Sequence, residues 1–190
     1  HNLRSLRLKL SLGRPSHAFD KLNWKKWLLV NFKIDRMPDA HIVHRYLATV
    51  KHLGVEYDGD GLDYFIPEGE NLENIQLPKK PFVAFVLGAT HATKRLPKEK
   101  IIEICRQIAH PIVLLGGKAE KNAADHITKA VGTHVLNFCG SLSLHQSACV
   151  VRASNKVITH DTGLMHIAAA FRKPIVSVWV STVPKFGMWP

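Results

Sequence analysis

From Pro81 onward the chain alternates short apolar, β-branched runs with segments of helical period, and this alternation constrains the fold more than any other feature. Residues 82–87, 112–115, 134–138, 156–159 and 175–179 read as strands. Residues 97–109, 119–131, 143–153 and 163–171 read as helices. Local chemistry agrees with these bounds: Pro97 suits a first helical turn, Ser143 suits an N-cap, and Gly132 suits a helix stop. Strands interleaved with helices specify a parallel sheet with right-handed crossovers. Strands that stay apolar at consecutive positions fit a sheet covered on both faces. Ligands of such sheets bind outside the carboxyl ends of the strands.

Residues 1–66 lack that repetition. Leu3, Leu6 and Leu10 fit a helix face, whereas Leu6, Leu8, Leu10 and Leu12 fit strand alternation, so periodicity leaves the segment open. Residues 39–53 read as one helix with Ile42, Tyr46, Val50 and Leu53 on a face, stopped by Gly54. The stretch 67–80, with Pro67, Gly69, Asn71, Asn74 and Pro78, reads as a linker. The expected organisation is therefore a region of different texture over 1–66, a linker over 67–80 and an α/β domain over 81–190. The chain starts at His1 and stops in loop-like sequence at Trp189-Pro190, which reads as a piece of a longer protein.

Charge is distributed unevenly along these parts. Residues 1–56 hold 11 Lys/Arg against 4 Asp/Glu, which accounts for most of the formal net charge of +11. A basic surface of this kind attracts anionic lipid, anionic substrates or nucleic acid. No zinc-finger, RNP or helix-turn-helix pattern supports nucleic acid. There is no signal peptide, and no apolar run is long enough to span a bilayer. Cys105, Cys139 and Cys149 are widely spaced in apolar segments and read as buried free thiols, as suits a reducing cytoplasm.

Three strand-to-helix turns carry the chemistry. In Gly88-Ala89-Thr90-His91-Ala92-Thr93-Lys94-Arg95, Thr90 is placed to donate to a phosphate oxygen, and Lys94 or Arg95 to neutralise it. The spacing is not that of a P-loop, and no GxGxxG fingerprint occurs. In Gly116-Gly117-Lys118-Ala119-Glu120 the glycines admit a close approach to the backbone. Glu120 there either accepts from ribose hydroxyls or simply favours the helix dipole. In Thr159-His160-Asp161-Thr162-Gly163-Leu164-Met165-His166 a strand, a turn and a helix N-terminus form an anion site. Asp161 suits the helix N-cap, or else holds a cation or a sugar hydroxyl. An anion would then meet the amides of Thr162, Gly163 or Leu164. His166, in the first turn, donates to a phosphate or is a core histidine. His160 and His166 lack the spacing of a two-ligand metal helix, so no metal is expected.

The run Asp161-Thr162-Gly163-Leu164-Met165-His166-Ile167-Ala168-Ala169-Ala170, followed by Lys173-Pro174-Ile175-Val176-Ser177-Val178-Trp179, resembles the bacterial heptosyltransferases of glycosyltransferase family 9. Thr90 with Lys94-Arg95-Leu96-Pro97, and Gly116-Gly117 with Glu120, stand where that family's motifs are expected. The resemblance is good over 81–184 and weaker over 1–66, where Asn2-Leu3-Arg4-Ser5 and His41-Ile42-Val43-His44-Arg45 are similar to the end of the family's N-terminal domain. Val180-Ser181-Thr182-Val183-Pro184 departs from the family's Gly-Pro-Thr, and His91-Ala92-Thr93 replaces a more polar turn.

The resemblance implies a GT-B fold with a Rossmann-like C-terminal domain, and an ADP-sugar donor such as ADP-heptose. Thr90 and the Thr162, Gly163 and Leu164 amides would contact the diphosphate. Lys94 would stabilise the departing phosphate or the sugar, Glu120 would hold the ribose, and the Leu142 backbone would meet the adenine. Asp161 would face the donor sugar and His166 the phosphates. The reaction would invert the anomeric centre without a metal or cofactor. The acceptor would be an anionic glycolipid of the lipopolysaccharide core, met by a cytoplasmic enzyme with peripheral contact to the inner membrane. The family's base is an Asp near the start of the N-terminal domain, expected upstream of His1, so this fragment alone is expected to be inactive. A non-catalytic nucleotide-sugar binding module, or transfer of another sugar, are the alternatives.

Overall fold

A computed structural model describes residues 3–73, 75–89 and 91–190. Thr90, expected at the diphosphate, lies outside the described residues. The chain divides into two compact units, one running to Gly59 and including Lys185–Met188, the other formed by Asp60–Pro184 with Trp189–Pro190.

The second unit holds the sheet. Its strands are β1 (Val83–Val86), β2 (Ile112–Leu115), β3 (Val135–Asn137), β4 (Lys156–His160) and β5 (Ile175–Val178), in the spatial order β3-β2-β1-β4-β5. Every pairing is parallel: Val83 is in register with Ile112 on one side and with Lys156 on the other. The same holds for Ile112 with Val135 and for Val157 with Ile175. The helices of this unit are Lys98–Gln107, Lys121–Val131, Leu144–Ala153 and Gly163–Ala170. This is the expected α/β fold, Rossmann-like in its sheet order.

Consecutive strand residues serve opposite faces, as strand geometry requires. Phe85, Ile112 and Leu114 pack with Ile101, Cys105 and Ile127 on one face. Ala84, Val86, Val113, Leu115 and Val157 pack with Val150, Val151 and Ala168 on the other. Cys105, Cys139 and Cys149 are free and buried. Ser143 caps the helix Leu144–Ala153 in a capping box: its Oγ accepts from the Gln146 amide, and Gln146 Oε1 accepts from the Ser143 amide.

The stretch expected as a linker runs along this unit. Leu72 and Leu77 pack against the second core cluster. Arg172 donates to the Asp60 carbonyl at 3.3 Å, and Tyr64 shares a 3.0 Å hydrogen bond with His145.

The first unit is helical. Leu3–Leu12 is a helix, which settles the choice that periodicity left open. The helix Asn23–Phe32 was not anticipated, because its start carries no capping side chain: Leu22 stands at the N-cap with φ of 53°. Residues 39–53 are not one helix. Ile42–Leu47 is helical, and a separate 3₁₀ turn, Lys51–Leu53, ends at Gly54 with φ of 77°. Just past the end of that helix Thr49 donates its hydroxyl to the Tyr46 carbonyl at 2.7 Å. Lys185 pairs with Asp35, and the Gly187 carbonyl accepts from the Ile42 amide at 2.7 Å. Among the described residues no helix is long and apolar enough to cross a membrane.

Phe85 is wholly buried in the central strand. Phe85→Ala is expected to cost about 3–5 kcal/mol, read as a lower urea midpoint of the sheet unit. A loss below about 1 kcal/mol would contradict the packing described.

Candidate functional site

The sheet order creates a crevice. The chain leaves β1 toward β2 and β3, then returns to place β4 on the other side of β1, so the turns after β1 and β4 diverge between neighbouring strands. A cavity of about 480 Å³ opens there, lined from all four turns. Gly88, Ala89 and Arg95 come from the first, Gly116, Gly117 and Glu120 from the second. Leu142 and Ser143 come from the third, and Thr162, Gly163 and Leu164 from the fourth. Of the residues that the resemblance assigns to the donor, Glu120, Leu142, Thr162, Gly163 and Leu164 are thus brought together, with Arg95, Gly116 and Gly117 beside them. Lys94, Asp161 and His166 are not among its lining residues.

Asp161 does not cap the helix Gly163–Ala170. The N-cap is Thr162, in extended conformation and without a side-chain capping bond. The Asp161 carboxylate is only 5% exposed and turns to Lys94, whose Nζ donates to its Oδ2 at 2.5 Å. Thr182 Oγ1 donates to the same oxygen at 3.1 Å. The Lys94 ammonium gives the carboxylate a full opposite charge, whereas a cap would give it backbone N–H donors alone. The helix N-terminus is left open: Gly163 and Leu164, its first two residues, have no carbonyl one turn back to donate to. Thr162 Oγ1 is buried and meets no partner among the described residues. His166 is half-buried in the first turn of the same helix.

The glycines after β2 do admit a close approach, and the group that approaches is Glu120 itself. A Cβ on Gly116 would lie 3.0 Å from Glu120 Cβ and 3.1 Å from Cys139 Sγ. Glu120 Oε2 accepts from the Gly117 amide at 2.9 Å, and Oε1 pairs with Arg95 Nη1 at 3.0 Å. Burial, assisted by the charges of Glu120 and Asp125, pushes the Cys139 thiol up to about 12, so it stays protonated.

Thr182, the second partner of Asp161, carries no signal in the sequence, and Arg95, expected at a phosphate, is paired with Glu120. The Lys94-Arg95 dipeptide was visible as cations, but not the direction each takes. Arg95 follows the 3₁₀ turn Ala92–Lys94 in extended conformation, and the two side chains diverge to different carboxylates. His160 has a structural task. It is wholly buried, and its Nε2 accepts from the Leu96 amide at 3.0 Å, which pins the first turn to β4. Its Nδ1 completes no hydrogen bond of normal geometry among the described residues. Burial holds the ring's pKa below its usual 6.5, opposed by the Val86 backbone and assisted by the Arg95 charge. No group of three or more His, Cys, Asp or Glu suited to a metal occurs among the described residues.

Residues 9–188 match the model of glycosyltransferase family 9 (heptosyltransferase). The chain belongs to glycosyltransferase family 9. It is similar to lipopolysaccharide heptosyltransferase 2 of Escherichia coli K12, 29% identical over 116 residues that cover 57% of this chain and 33% of the relative. Similarity to lipooligosaccharide heptosyltransferase 2 of Haemophilus influenzae Rd is 24% over 188 residues, covering 86% of this chain and 54% of that one. Among solved structures, the E. coli ADP-heptose lipopolysaccharide heptosyltransferase II superposes with a TM-score of 0.67 at 25% identity, over 77% of this chain and 50% of that chain. This family 9 chain therefore spans between a third and about half of the length of these relatives. Its sheet unit has the α/β architecture of GT-B glycosyltransferases, as expected from the sequence.

The lowered pKa of His160 has a consequence with a definite sign. The unfolded ring takes up its proton near 6.5, while the buried ring resists until lower pH. Stability is therefore full above that value and is lost as the pH falls toward the folded pKa. The melting temperature of the wild type is expected to drop between neutral and mildly acidic pH more steeply than that of His160→Gln, which keeps an acceptor for Leu96. Parallel curves would contradict the assignment.

Proposed function

We infer that the longer protein represented by this chain is an inverting glycosyltransferase that moves heptose from ADP-heptose to an anionic glycolipid of the lipopolysaccharide core. The observation that carries the reading is the convergence of one open helix N-terminus and two buried carboxylates, each paired with a cation, around the carboxyl ends of β1, β2 and β4. The family supports the chemistry class, and similarity to the E. coli ADP-heptose lipopolysaccharide heptosyltransferase II supports the donor.

In this reading the donor diphosphate lies against the amides of Gly163 and Leu164, where the helix dipole favours negative charge. Thr90 and His166 donate to the same phosphates. Glu120 accepts from the ribose, the Leu142 backbone meets the adenine, and Asp161 faces the donor sugar. The acceptor oxygen attacks the anomeric carbon from the face opposite the phosphate. As the glycosidic bond breaks, its electron pair passes to the diphosphate oxygen. Lys94 and the helix amides stabilise that growing charge more than they stabilise the intact donor, which is what accelerates the step. No metal or cofactor is called on. Lys94 is held by Asp161, so its ammonium is oriented before the donor arrives. The acceptor hydroxyl needs a base, and none is assigned among these residues. The basic first unit suits an anionic acceptor and contact with the cytoplasmic face of the inner membrane.

Two measurements test this. Calorimetry is expected to rank ADP above UDP and GDP, and the reverse ranking would remove the ADP-sugar donor. In the full-length protein, Lys94→Ala is expected to slow transfer by a factor on the order of 10²–10³, as loss of a transition-state donor does elsewhere. Transfer at the wild-type rate would remove the role of Lys94.

A further inference from the structure

The inner wall of the cavity carries an ion pair whose geometry is more specific than charge neutralisation requires. Three nitrogens of Arg95 are engaged. Nε and Nη2 donate to the Ala89 carbonyl at 2.9 and 2.6 Å, and Nη1 meets Glu120 Oε1 at 3.0 Å. The other oxygen of Glu120 accepts from the Gly117 amide at 2.9 Å. Each carboxylate oxygen thus has one partner from a different turn: Arg95 from the turn after β1, Gly117 from the turn after β2.

Packing agrees with this placement. A Cβ on Gly88 or on Gly117 would lie 3.3 Å from Glu120 Oε2. The missing side chains at these two glycines leave the space that the carboxylate occupies. Yet it is not saturated. A carboxylate has about four lone-pair sites, and these two bonds use two of them. Glu120 lines the cavity with its side chain 10% exposed. What reaches the ligand is a fixed pair of acceptors whose charge is already balanced. Two adjacent acceptors of that kind suit two adjacent hydroxyls.

Arg95 itself is poorly placed to serve an anion. Turning its guanidinium to a phosphate would break its bonds to Ala89 and strand a carboxylate that is nearly buried. Lys94, the preceding residue, is directed to Asp161 instead.

We propose that Arg95 is a positioning residue for diol recognition: it locks the Glu120 carboxylate so that its remaining lone pairs accept the two ribose hydroxyls, and it does not itself bind the diphosphate. The inference rests on the reading that the cavity takes ADP.

The test compares ADP with 2′,3′-dideoxy-ADP by calorimetry on the full chain and its Arg95→Lys, Arg95→Gln, Glu120→Gln and Arg95→Lys/Glu120→Gln variants. The wild type is expected to prefer ADP by roughly 10- to 100-fold, the range open to charge-assisted hydrogen bonds. In Arg95→Lys and Arg95→Gln that preference falls below about 3-fold while the affinity for dideoxy-ADP is retained, because a lysine lacks the fork that spans Ala89 and Glu120. The double variant behaves as Glu120→Gln alone, since Arg95 acts through Glu120. Retained affinity for dideoxy-ADP also shows that the variant is folded. Three results overturn the role of Arg95: an intact ribose preference in both single variants, an equal loss of affinity for both nucleotides, or additive effects in the double variant. A wild type that binds both nucleotides equally overturns the diol role while leaving ADP as the ligand. A wild type that binds neither overturns the nucleotide reading with it.

Discussion

Everything chemical in this chain depends on one strand lying between two parallel neighbours. β1 is buried along its whole length and is in register with both β2 and β4. Because crossovers between parallel strands run in one hand, the turns that leave β1 and β4 separate at their carboxyl ends. The crevice follows from that separation. Burial of Val83–Val86 on both faces is thus not only a source of stability. It also sets which turns can meet.

Electrostatics then decides how the turns are joined. Lys94 and Arg95 are adjacent in the chain, and each reaches a carboxylate on a different turn. Both carboxylates are nearly buried, so each needs its cation, and breaking either pair would leave an uncompensated charge. These pairs therefore tie the turn after β1 to the turns after β2 and β4. His160 adds a neutral tie to the same turn through the Leu96 amide. Three bonds to one short segment hold the groups around the cavity before any ligand arrives, which is the preorganisation that transition-state stabilisation requires.

The helical first unit differs from this. The helices Leu3–Leu12 and Asn23–Phe32 contain no buried residue, and Leu3, Leu10, Trp24 and Phe32 are among the exposed apolar side chains. Its internal ties include the Lys185–Asp35 pair, the Ile42–Gly187 backbone bond and the ring contacts of Phe19 with Tyr46 and His17 with His52. The cavity lining and the pairs described around it belong to the sheet unit.

The sheet unit was almost wholly legible in the sequence. Strand and helix periods, the Ser143 capping box and the stop at Gly132 are encoded by residues within one or two turns of each other. Apolar residues at consecutive strand positions announced burial on two faces. The same reading identified the turns that meet at one sheet edge, because the carboxyl ends of parallel strands must share it. What local pattern could not give was partnership. Lys94 and Asp161 are 67 residues apart, and Leu96 and His160 are 64 apart. Asp161 had the residue type of a cap and became a cation's partner. The glycines beside Glu120 read as room for a ligand, and they make room for Glu120. In the sheet unit, helix, strand and turn were determined by the sequence itself, because they are settled between neighbours. Which charge faces which was decided only by the tertiary structure, because it depends on distances that exist only after the sheet has closed.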